Sequence, residues 1–299
     1  MIKPLDSVEK TISLIAGVSN TPENDVRERL RAEVREIGTY SYNCLKSQGI
    51  PLYETSEQLD ALWRDSDAFL YEITVWNTCD AKHRMRSFVA SRLNRYGFEK
   101  ADVFCFGDGL GFDSTWLAMQ GHHVQYYEPS LPSQQFAQKM FEENCVEVRK
   151  LDTLDDIARH SLDAIVCLDV LEHIPQPQTV VKQFHEWLKP EGLLFVHAPF
   201  WCIHWTRPTH LKENRHLSGD LHVMYHEQGF IEVDSSVFWD PILVQKKDSP
   251  SPLRKSPGAG FRIRTGQLLL TIGRWGNHIH NAVARRVARA PKSWLDALT

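Results

Sequence analysis

The chain has 299 residues, of which 42% are hydrophobic and 24% charged, a composition typical of a globular protein with ample material for a core. Its formal net charge of -4 at pH 7 argues against a nucleic-acid partner held by an overall positive field, because phosphate contacts require many Lys and Arg side chains on one surface. No stretch approaches the roughly 20 apolar residues that cross a bilayer, so we expect no membrane span.

The location of the protein is predicted from its cysteines and its first residues. The six cysteines are scattered and form no CxxC pair, which favours a reducing compartment. The N-terminus lacks the uninterrupted apolar core of a signal peptide. We therefore expect a cytoplasmic protein.

Residues 1–98 are predicted to form an N-terminal helical segment. Thr21 is expected to cap a first helix and Ser56 a second, and a third is predicted from about Thr78 to Tyr96, ending before Gly97. The segment is too polar to build a large core alone, so we expect it to pack on, or cover, the domain that follows.

Residues 99–248 change to short apolar runs that alternate with helical stretches, the pattern of a parallel sheet flanked by helices. The predicted fold is α/β, a Rossmann-like seven-stranded sheet with helices on both faces, in which five parallel strands are followed by an antiparallel terminal hairpin. The predicted strands are 102–106, 123–127, 145–149, 163–168, 193–197, 231–238 and 242–246, and the predicted helices are 113–120, 133–143, 154–160, 177–188 and one ending at Gly229.

Residues 249–299 are predicted to form a basic C-terminal tail that begins with a Ser/Pro/Gly-rich linker or mobile loop. The tail holds nine Lys/Arg residues and one acid, a net charge of +8, which leaves about -12 on residues 1–248. Its helical portion is placed at 281–294. Docking on the acidic body is preferred, with an anionic substrate or a membrane surface as alternatives.

A glycine-rich loop follows the first predicted strand, at residues 107–111 (GDGLG). Glycines there allow a ligand to approach the backbone closely. The dinucleotide fingerprint GxGxxG would require glycine at Phe112 or, shifted by two, at Ser114, and neither position fits. Glu128 closes the second strand 21 residues after Gly107, where a carboxylate can accept both hydroxyls of a ribose.

Several segments between about residues 100 and 247 resemble the class I S-adenosylmethionine (SAM)-dependent methyltransferase family, of the small-molecule type that includes quinone methyltransferases. FCFGDGLG is similar to the family's first motif, DVLEHIP to the segment after strand four, and VVKQFHEWLKPEGLLFVHAP to the following helix and fifth strand. The resemblance implies SAM as the cofactor. The residues expected to bind it are Phe106, Gly107, Asp108, Gly109, Gly111, Asp113, Glu128, Pro129, Asp152, Thr153, Leu168, Asp169 and Val170.

One residue departs from the family pattern. Cys105 stands two residues before the first glycine, where the family commonly has Asp or Glu. Either Asp108 or Asp113 takes over the role of that acid, or SAM binding is weakened.

Methyl transfer is an in-line displacement in which the protein mainly aligns the acceptor, and a base is useful only where the acceptor loses a proton. The acceptor pocket is expected above strands four and five, covered by a His- and Trp-rich segment. His173 is the first candidate for the base, followed by His204 and His210. Alternative metal ligands are the group Asp169, Glu172 and His173, or the pair His222 and His226, but we expect no metal.

The sequence therefore predicts a SAM-dependent methyltransferase that acts on a small molecule, with a sugar or specialised metabolite favoured and oxygen preferred over nitrogen. Two alternatives remain at this point. One is a SAM-fold protein that binds cofactor or partner without turnover, and the other is a nicotinamide-dependent oxidoreductase. The sequence makes no prediction of the oligomeric state.

Overall fold

The computed structural model describes residues 2–236, 241–275 and 289–298, and these contain a seven-stranded sheet with the order β3-β2-β1-β4-β5-β7-β6. The first five strands run parallel, whereas β7 is antiparallel to both β5 and β6. This confirms the predicted fold class. The strands are β1 Asp102–Phe106, β2 His123–Tyr127, β3 Val148–Lys150, β4 Leu162–Leu168, β5 Leu188–His197, β6 Phe230–Ser235 and β7 Ile242–Lys246.

The central strands form because their apolar runs are buried on both faces, as helix-covered parallel strands require. Val103 of β1 pairs with Val124 on one side and Ala164 on the other, and all three side chains are buried. The predicted bounds of β1, β2 and β7 are confirmed. The predicted start of β3 at Cys145 is wrong, because Cys145 has a φ of 51° and the N–H of Val146 bonds back to the preceding helix.

Three α-helices connect the parallel strands, namely α7 Phe112–Met119, α8 Leu131–Glu143 and α9 Pro177–Trp187. The predicted helix over 154–160 is wrong, since only a 3-10 turn, Leu154–Asp156, forms there. The next residues are held from outside: the N–H groups of His160 and Ser161 donate to carbonyls at the end of α9. In place of one helix ending at Gly229, the chain has a 3-10 helix, Lys212–Leu217, and a π-helix, His222–His226.

Six helices precede β1: α1 Val8–Ser19, α2 Glu23–Arg35, α3 Thr39–Ser47, α4 Glu57–Asp65, α5 Leu70–Thr78 and α6 Asp80–Arg95. The Ser56 cap is confirmed, because its Oγ accepts the N–H of Leu59 at 3.1 Å. The Thr21 cap is wrong, since Pro22 takes that position, and α1 had no predicted counterpart. These helices share a core with the sheet helices, in which Ile12 and Tyr71 lie in one cluster with Phe112 and Phe136.

The C-terminal residues form α10 Ala259–Gly273 and α11 Lys292–Leu298, so helix begins within the predicted linker. Most of the helical portion predicted at 281–294 lies outside the described residues. Asp234 of β6 is fully buried and accepts hydrogen bonds from Arg92 of α6 at 2.7 Å and from Arg262 of α10. The basic segment therefore docks partly on an acid of the body. Within the residues described, no helix is both long and apolar enough to cross a membrane. The division at 98 and 248 stays a prediction.

Candidate functional site

The loop after β1 is a tight turn that only glycine allows at two positions. Gly107 and Gly111 have φ values of 67° and 76°, in the left-handed region that favours glycine. A Cβ added to Gly107 would lie 2.8 Å from a methyl of Val170, and one added to Gly111 would lie 2.8 Å from the ring of Phe141. The loop is therefore packed closely between the end of β4 and α8.

Glu128, directly after β2, holds this loop from the side. Its Oε2 accepts the N–H of Gly109 and its Oε1 accepts the N–H of Ser130, both at 2.9 Å. Tyr126 donates from its hydroxyl to the Gly109 carbonyl at 2.6 Å. Burial raises the pKa of Glu128 to about 7. In the ionised form, each carboxylate oxygen can accept a further hydrogen bond, because it has two lone pairs.

Asp108 and Asp113 have different tasks; one or the other was expected to take over the role of the acid that Cys105 replaces, with weakened SAM binding as the alternative. Asp108 caps α7, since its carboxylate accepts the N–H groups of Asp113 at 3.0 Å and Ser114 at 2.6 Å. Burial and the neighbouring Asp113 raise the pKa of Asp108 to about 7. Cys105 is buried in β1, and burial raises the pKa of its thiol well above the ordinary value.

Asp113 is held by two cations from α6. Lys82 Nζ lies 3.0 Å from Asp113 Oδ2, and Arg86 Nε lies 2.8 Å from Asp113 Oδ1, with all three side chains buried. Burial acts to raise the pKa of Asp113, but the two cations hold it below the ordinary value. Sequence reasoning missed both cations; the available signal was a Lys and an Arg four positions apart in the same helix as the buried Phe88 and Val89.

Asp169, after β4, joins four elements at one carboxylate. Its backbone is left-handed, with a φ of 65°. Trp76 Nε1 of α5 and Lys82 Nζ both lie close to its Oδ2, at 2.9 and 3.0 Å, and His197 Nδ1 at the end of β5 lies 2.6 Å from its Oδ1. Burial opposes ionisation, but Lys82 and His197 hold the pKa of Asp169 well below its ordinary value. The carboxylate is thus ionised, and the Nδ1 of His197 carries a hydrogen.

His173 and His210 are brought together, with ring centroids 4.8 Å apart. The Nε2 atoms of both rings lie 3.9 Å from Glu172 Oε1, and Thr209 carbonyl oxygen lies 3.1 Å from His173 Nδ1. Burial lowers the pKa of His173 to about 4 and that of His210 well below its ordinary value, so both rings are neutral at pH 7. Since a carbonyl only accepts, the hydrogen of His173 is on Nδ1 and Nε2 has a lone pair.

These three side chains also have the geometry to hold a metal ion. One ligand atom from each of Glu172, His173 and His210 lies within 4.8 Å of the other two. A carboxylate with two neutral imidazoles suits zinc and other divalent transition metals. His222 and His226 instead lie near Glu227 and Glu232, respectively, both at 3.3 Å.

The remaining predicted residues lie around the same edge of the sheet. Leu168 is buried at the end of β4, and Phe106 at the end of β1 packs against Phe184 of α9 with ring centroids 5.2 Å apart. Pro129 separates Glu128 from Ser130. The other three predicted residues point to local partners: Asp152 to Lys150 at 3.3 Å, Thr153 to the N–H of Asp155, and His204 to the Thr206 hydroxyl at 2.8 Å.

The N-terminal helices cover this edge of the sheet. A Cβ on Gly109 would lie 3.4 Å from the Ile73 side chain of α5. Arg207, in the His-rich segment after β5, donates to the Ile37 carbonyl at 2.7 Å. The turn next to Ile37 is held by the buried Glu33 carboxylate, which accepts the N–H groups of Gly38 and Tyr40. The segment after β5 is therefore tied to the helices that precede β1.

Comparison with known proteins identifies a domain within the chain. Residues 104–196 match the family model Methyltransf_11, described as "Methyltransferase domain". The chain is 29% identical over 116 residues to a ubiquinone biosynthesis O-methyltransferase of Marinobacter nauticus, covering 37% of this chain and 48% of that protein. It is 30% identical over 113 residues to the enzyme of the same name from Xanthomonas oryzae pv. oryzae, covering 36% and 46%. The chain thus spans about half the length of these relatives.

Solved structures similar to the chain include methyltransferases with cofactor bound. One is the Burkholderia thailandensis 1,6-didemethyltoxoflavin-N1-methyltransferase with S-adenosylhomocysteine, at 17% identity and a TM-score of 0.46, covering 58% of this chain and 81% of that one. Another is the Synechocystis magnesium protoporphyrin IX methyltransferase with SAM, at 18% identity and a TM-score of 0.42, covering 55% and 78%. Residues 104–196 thus match a methyltransferase domain, and their motifs are similar to those of the class I, SAM-dependent family.

Proposed function

We propose that the chain transfers a methyl group from SAM to a hydroxyl oxygen of a small molecule. The observation that carries this proposal is the reversed β7 between β5 and β6, in a sheet whose β1 ends in the loop held by Glu128. The dinucleotide-binding sheet has the order 3-2-1-4-5-6 built from two parallel halves. The antiparallel β7, together with the absent third fingerprint glycine, therefore disfavours a nicotinamide-dependent oxidoreductase.

The residues fit SAM at the ribose end and around the loop. Glu128 would accept the ribose hydroxyls with its remaining lone pairs, and Gly107 and Gly109 would allow the cofactor to lie against the backbone. Asp152, exposed at the end of β3, is the candidate for the adenine side. SAM supplies an activated methyl group on its sulfonium, so the protein has to align the acceptor rather than activate the donor.

Lys82 and Arg86 support the assignment of the loop despite Cys105. The two cations fix Asp113 and Asp169 on either side of the loop region. We propose that this buried charge network replaces the acid that the family commonly has two residues before the first glycine. Asp108 is then free to cap α7, and no carboxylate is needed at position 105.

His173 is the proposed base, with His210 and His204 as the other candidates. Its neutral ring and its Nδ1 contact to the Thr209 carbonyl leave the lone pair of Nε2 to accept a proton. Glu172 lies 3.9 Å from that nitrogen and would stabilise the imidazolium that forms. Trp63 packs edge-on against His173, with centroids 5.6 Å apart, which would favour an acceptor with an apolar or aromatic part.

The acceptor class rests on two considerations. The sequence favours a sugar or specialised metabolite, whereas relatives at about 30% identity are named ubiquinone biosynthesis O-methyltransferases. Those names specify oxygen as the acceptor atom. A phenolic hydroxyl is more acidic than a sugar hydroxyl, so a neutral histidine deprotonates it more readily. We therefore place phenols first and sugars second.

The proposal is tested in two steps. Calorimetric titration with SAM, S-adenosylhomocysteine and NAD should show binding of the first two and none of NAD. Methyl transfer from labelled SAM is then measured with phenols, catechols, sugars and amines. The proposal is contradicted if the chain binds NAD alone, or if it binds neither SAM nor S-adenosylhomocysteine.

A second candidate function is a SAM-fold protein that binds without turnover. The observation that favours it is the close cover of the loop, where a Cβ added to Gly107 would lie 2.8 Å from Val170 and one added to Gly109 would lie 3.4 Å from Ile73. Binding of SAM without methylation of any acceptor, and without slow formation of S-adenosylhomocysteine, would support this candidate over the enzyme.

A further inference from the structure

Helix α10 is apolar on two opposite faces. Its inner face packs on the body through the buried Ala259 and Ile263, and Arg262 donates from Nε to the Ser235 carbonyl at 2.9 Å. Arg274 at the end of the helix also donates to the Ser218 carbonyl. These contacts fix which side of the helix faces outward.

The outward face has four large apolar side chains. Phe261, Leu268, Ile272 and Trp275 are 76%, 61%, 49% and 87% exposed. Their spacings of seven, four and three positions place them on one stripe of a helix, with Trp275 directly after its last turn. Exposed apolar residues scattered singly are normal, but a contiguous stripe of this length is typical of a surface that binds a membrane or another protein. We call these four residues the α10 stripe.

The charges around the α10 stripe select the class of partner. Between Ser249 and Leu295 the sequence has no Asp or Glu. Arg264 of α10 is exposed, as are Arg254 and Lys255 in the segment just before the helix. A second copy of the chain docked stripe to stripe would bring these cations together, which like-charge repulsion opposes. An anionic lipid surface meets both features, because it offers an apolar interior beneath negative headgroups.

We propose that α10 lies on an anionic membrane surface, with the α10 stripe in the boundary between headgroups and acyl chains and Arg264 among the headgroups. Trp275 suits this position, since tryptophan is enriched at membrane interfaces. The inference concerns attachment rather than chemistry, so it stands or falls independently of the methyl transfer proposed above.

The test is co-sedimentation of the full chain with vesicles of phosphatidylcholine alone or mixed with phosphatidylglycerol. We expect binding to the mixed vesicles that falls about tenfold or more without the anionic lipid, or in about 0.5 M salt. The double variant Phe261→Ser and Trp275→Ser should lose at least about tenfold in partition, since two large apolar side chains no longer enter the lipid.

The matched control substitutes two exposed apolar residues outside the stripe, Met119→Ser and Leu131→Ser, which are 47% and 50% exposed in the original chain. It should bind vesicles as the original chain does, and far-UV circular dichroism and thermal unfolding should be the same for all three proteins. Equal partition of the stripe variant and the control, or no vesicle binding by the original chain, overturns the proposal. Self-association that the stripe variant abolishes, without vesicle binding, would assign the face to a second copy instead.

Discussion

Lys82 Nζ lies 3.0 Å from Asp169 Oδ2, although the lysine belongs to the helices before β1 and the aspartate follows β4. The lysine also contacts Asp113 at the same distance. Burial acts to lower its pKa, but the two carboxylates raise it to above the ordinary range. One buried cation thus joins the N-terminal helices to both sides of the candidate cofactor loop.

Replacing Lys82 by an uncharged residue should lower the stability of the fold. Lys82→Met leaves two buried carboxylates with reduced compensation, and we expect a loss of about 3–5 kcal/mol in the free energy of unfolding, measured by urea denaturation. Lys10→Met, at an exposed position of α1, should change it by less than about 0.5 kcal/mol. Adding Asp169→Asn to Lys82→Met should recover part of the loss; strictly additive effects would contradict the pairing.

Glu128 is expected to contribute to cofactor affinity. At pH 8.5, above the pKa of about 7 that burial gives Glu128, Glu128→Gln keeps the shape of the side chain but removes its charge, and it should weaken SAM binding by about 1–3 kcal/mol, the range for lost charge-assisted hydrogen bonds. Titration calorimetry measures this. Glu142→Gln on the outer side of α8 is the matched control and should bind SAM as the original chain does. If Glu128→Gln binds SAM with unchanged affinity, Glu128 does not bind the ribose.

Glu33 should make stability depend on pH. Burial and the Glu72 carboxylate raise its pKa from 4.5 to about 8, so the folded chain holds a proton that the unfolded chain releases. The contribution is present below pH 4.5 and is lost as the pH rises to about 8, with a slope of at most about 1.4 kcal/mol per pH unit. Urea denaturation between pH 6.5 and 8 should therefore show a weaker pH dependence in Glu33→Gln, whereas Glu54→Gln, at an exposed position, should follow the original chain.

His173 should affect turnover more than cofactor binding. His173→Asn removes the proposed base, and we expect kcat to fall about a hundredfold to ten-thousandfold with any acceptor that the panel identifies, while SAM affinity stays the same. His216→Asn, at an exposed position, is the control. A fall in SAM affinity that accounts for the lost rate would make the role structural instead.

Gly107 allows a clean measurement of the contact between the loop and β4. Gly107→Ala and Gly121→Ala both put a side chain on left-handed backbone, at φ values of 67° and 92°, which costs about 1–2 kcal/mol. Only the Cβ at position 107 meets a neighbour, Val170 at 2.8 Å, while nothing lies within 4 Å at position 121. Thermal unfolding should show Gly107→Ala as the less stable by a further 1–3 kcal/mol or so. Val170→Ala in the same chain should restore most of that difference.

The parallel sheet was predictable because its strands are apolar runs whose burial on both faces overrides local detail, as β1 and β4 illustrate. Where contacts to another element decide the backbone, the prediction was wrong: a helix was predicted over 154–160, but the N–H groups of His160 and Ser161 donate to carbonyls at the end of α9. The candidate loop, Glu128 and the His173 region followed from motifs. The contacts of Trp76 to Asp169 and of Lys82 and Arg86 to Asp113 did not, because they join residues far apart in sequence; the available signal was two cations four positions apart in one helix.

The hydrogen bonds of Asp234 limit where the chain can be cut. Arg92 comes from before the methyltransferase domain and Arg262 from after it, and both donate to this single buried carboxylate. Cutting the chain back to residues 99–248, the predicted domain, would keep Asp234 in β6 but remove both arginines, leaving its negative charge without a cation. The flanking segments are thus part of the folding unit, and an excised domain is a poor surrogate for the whole chain.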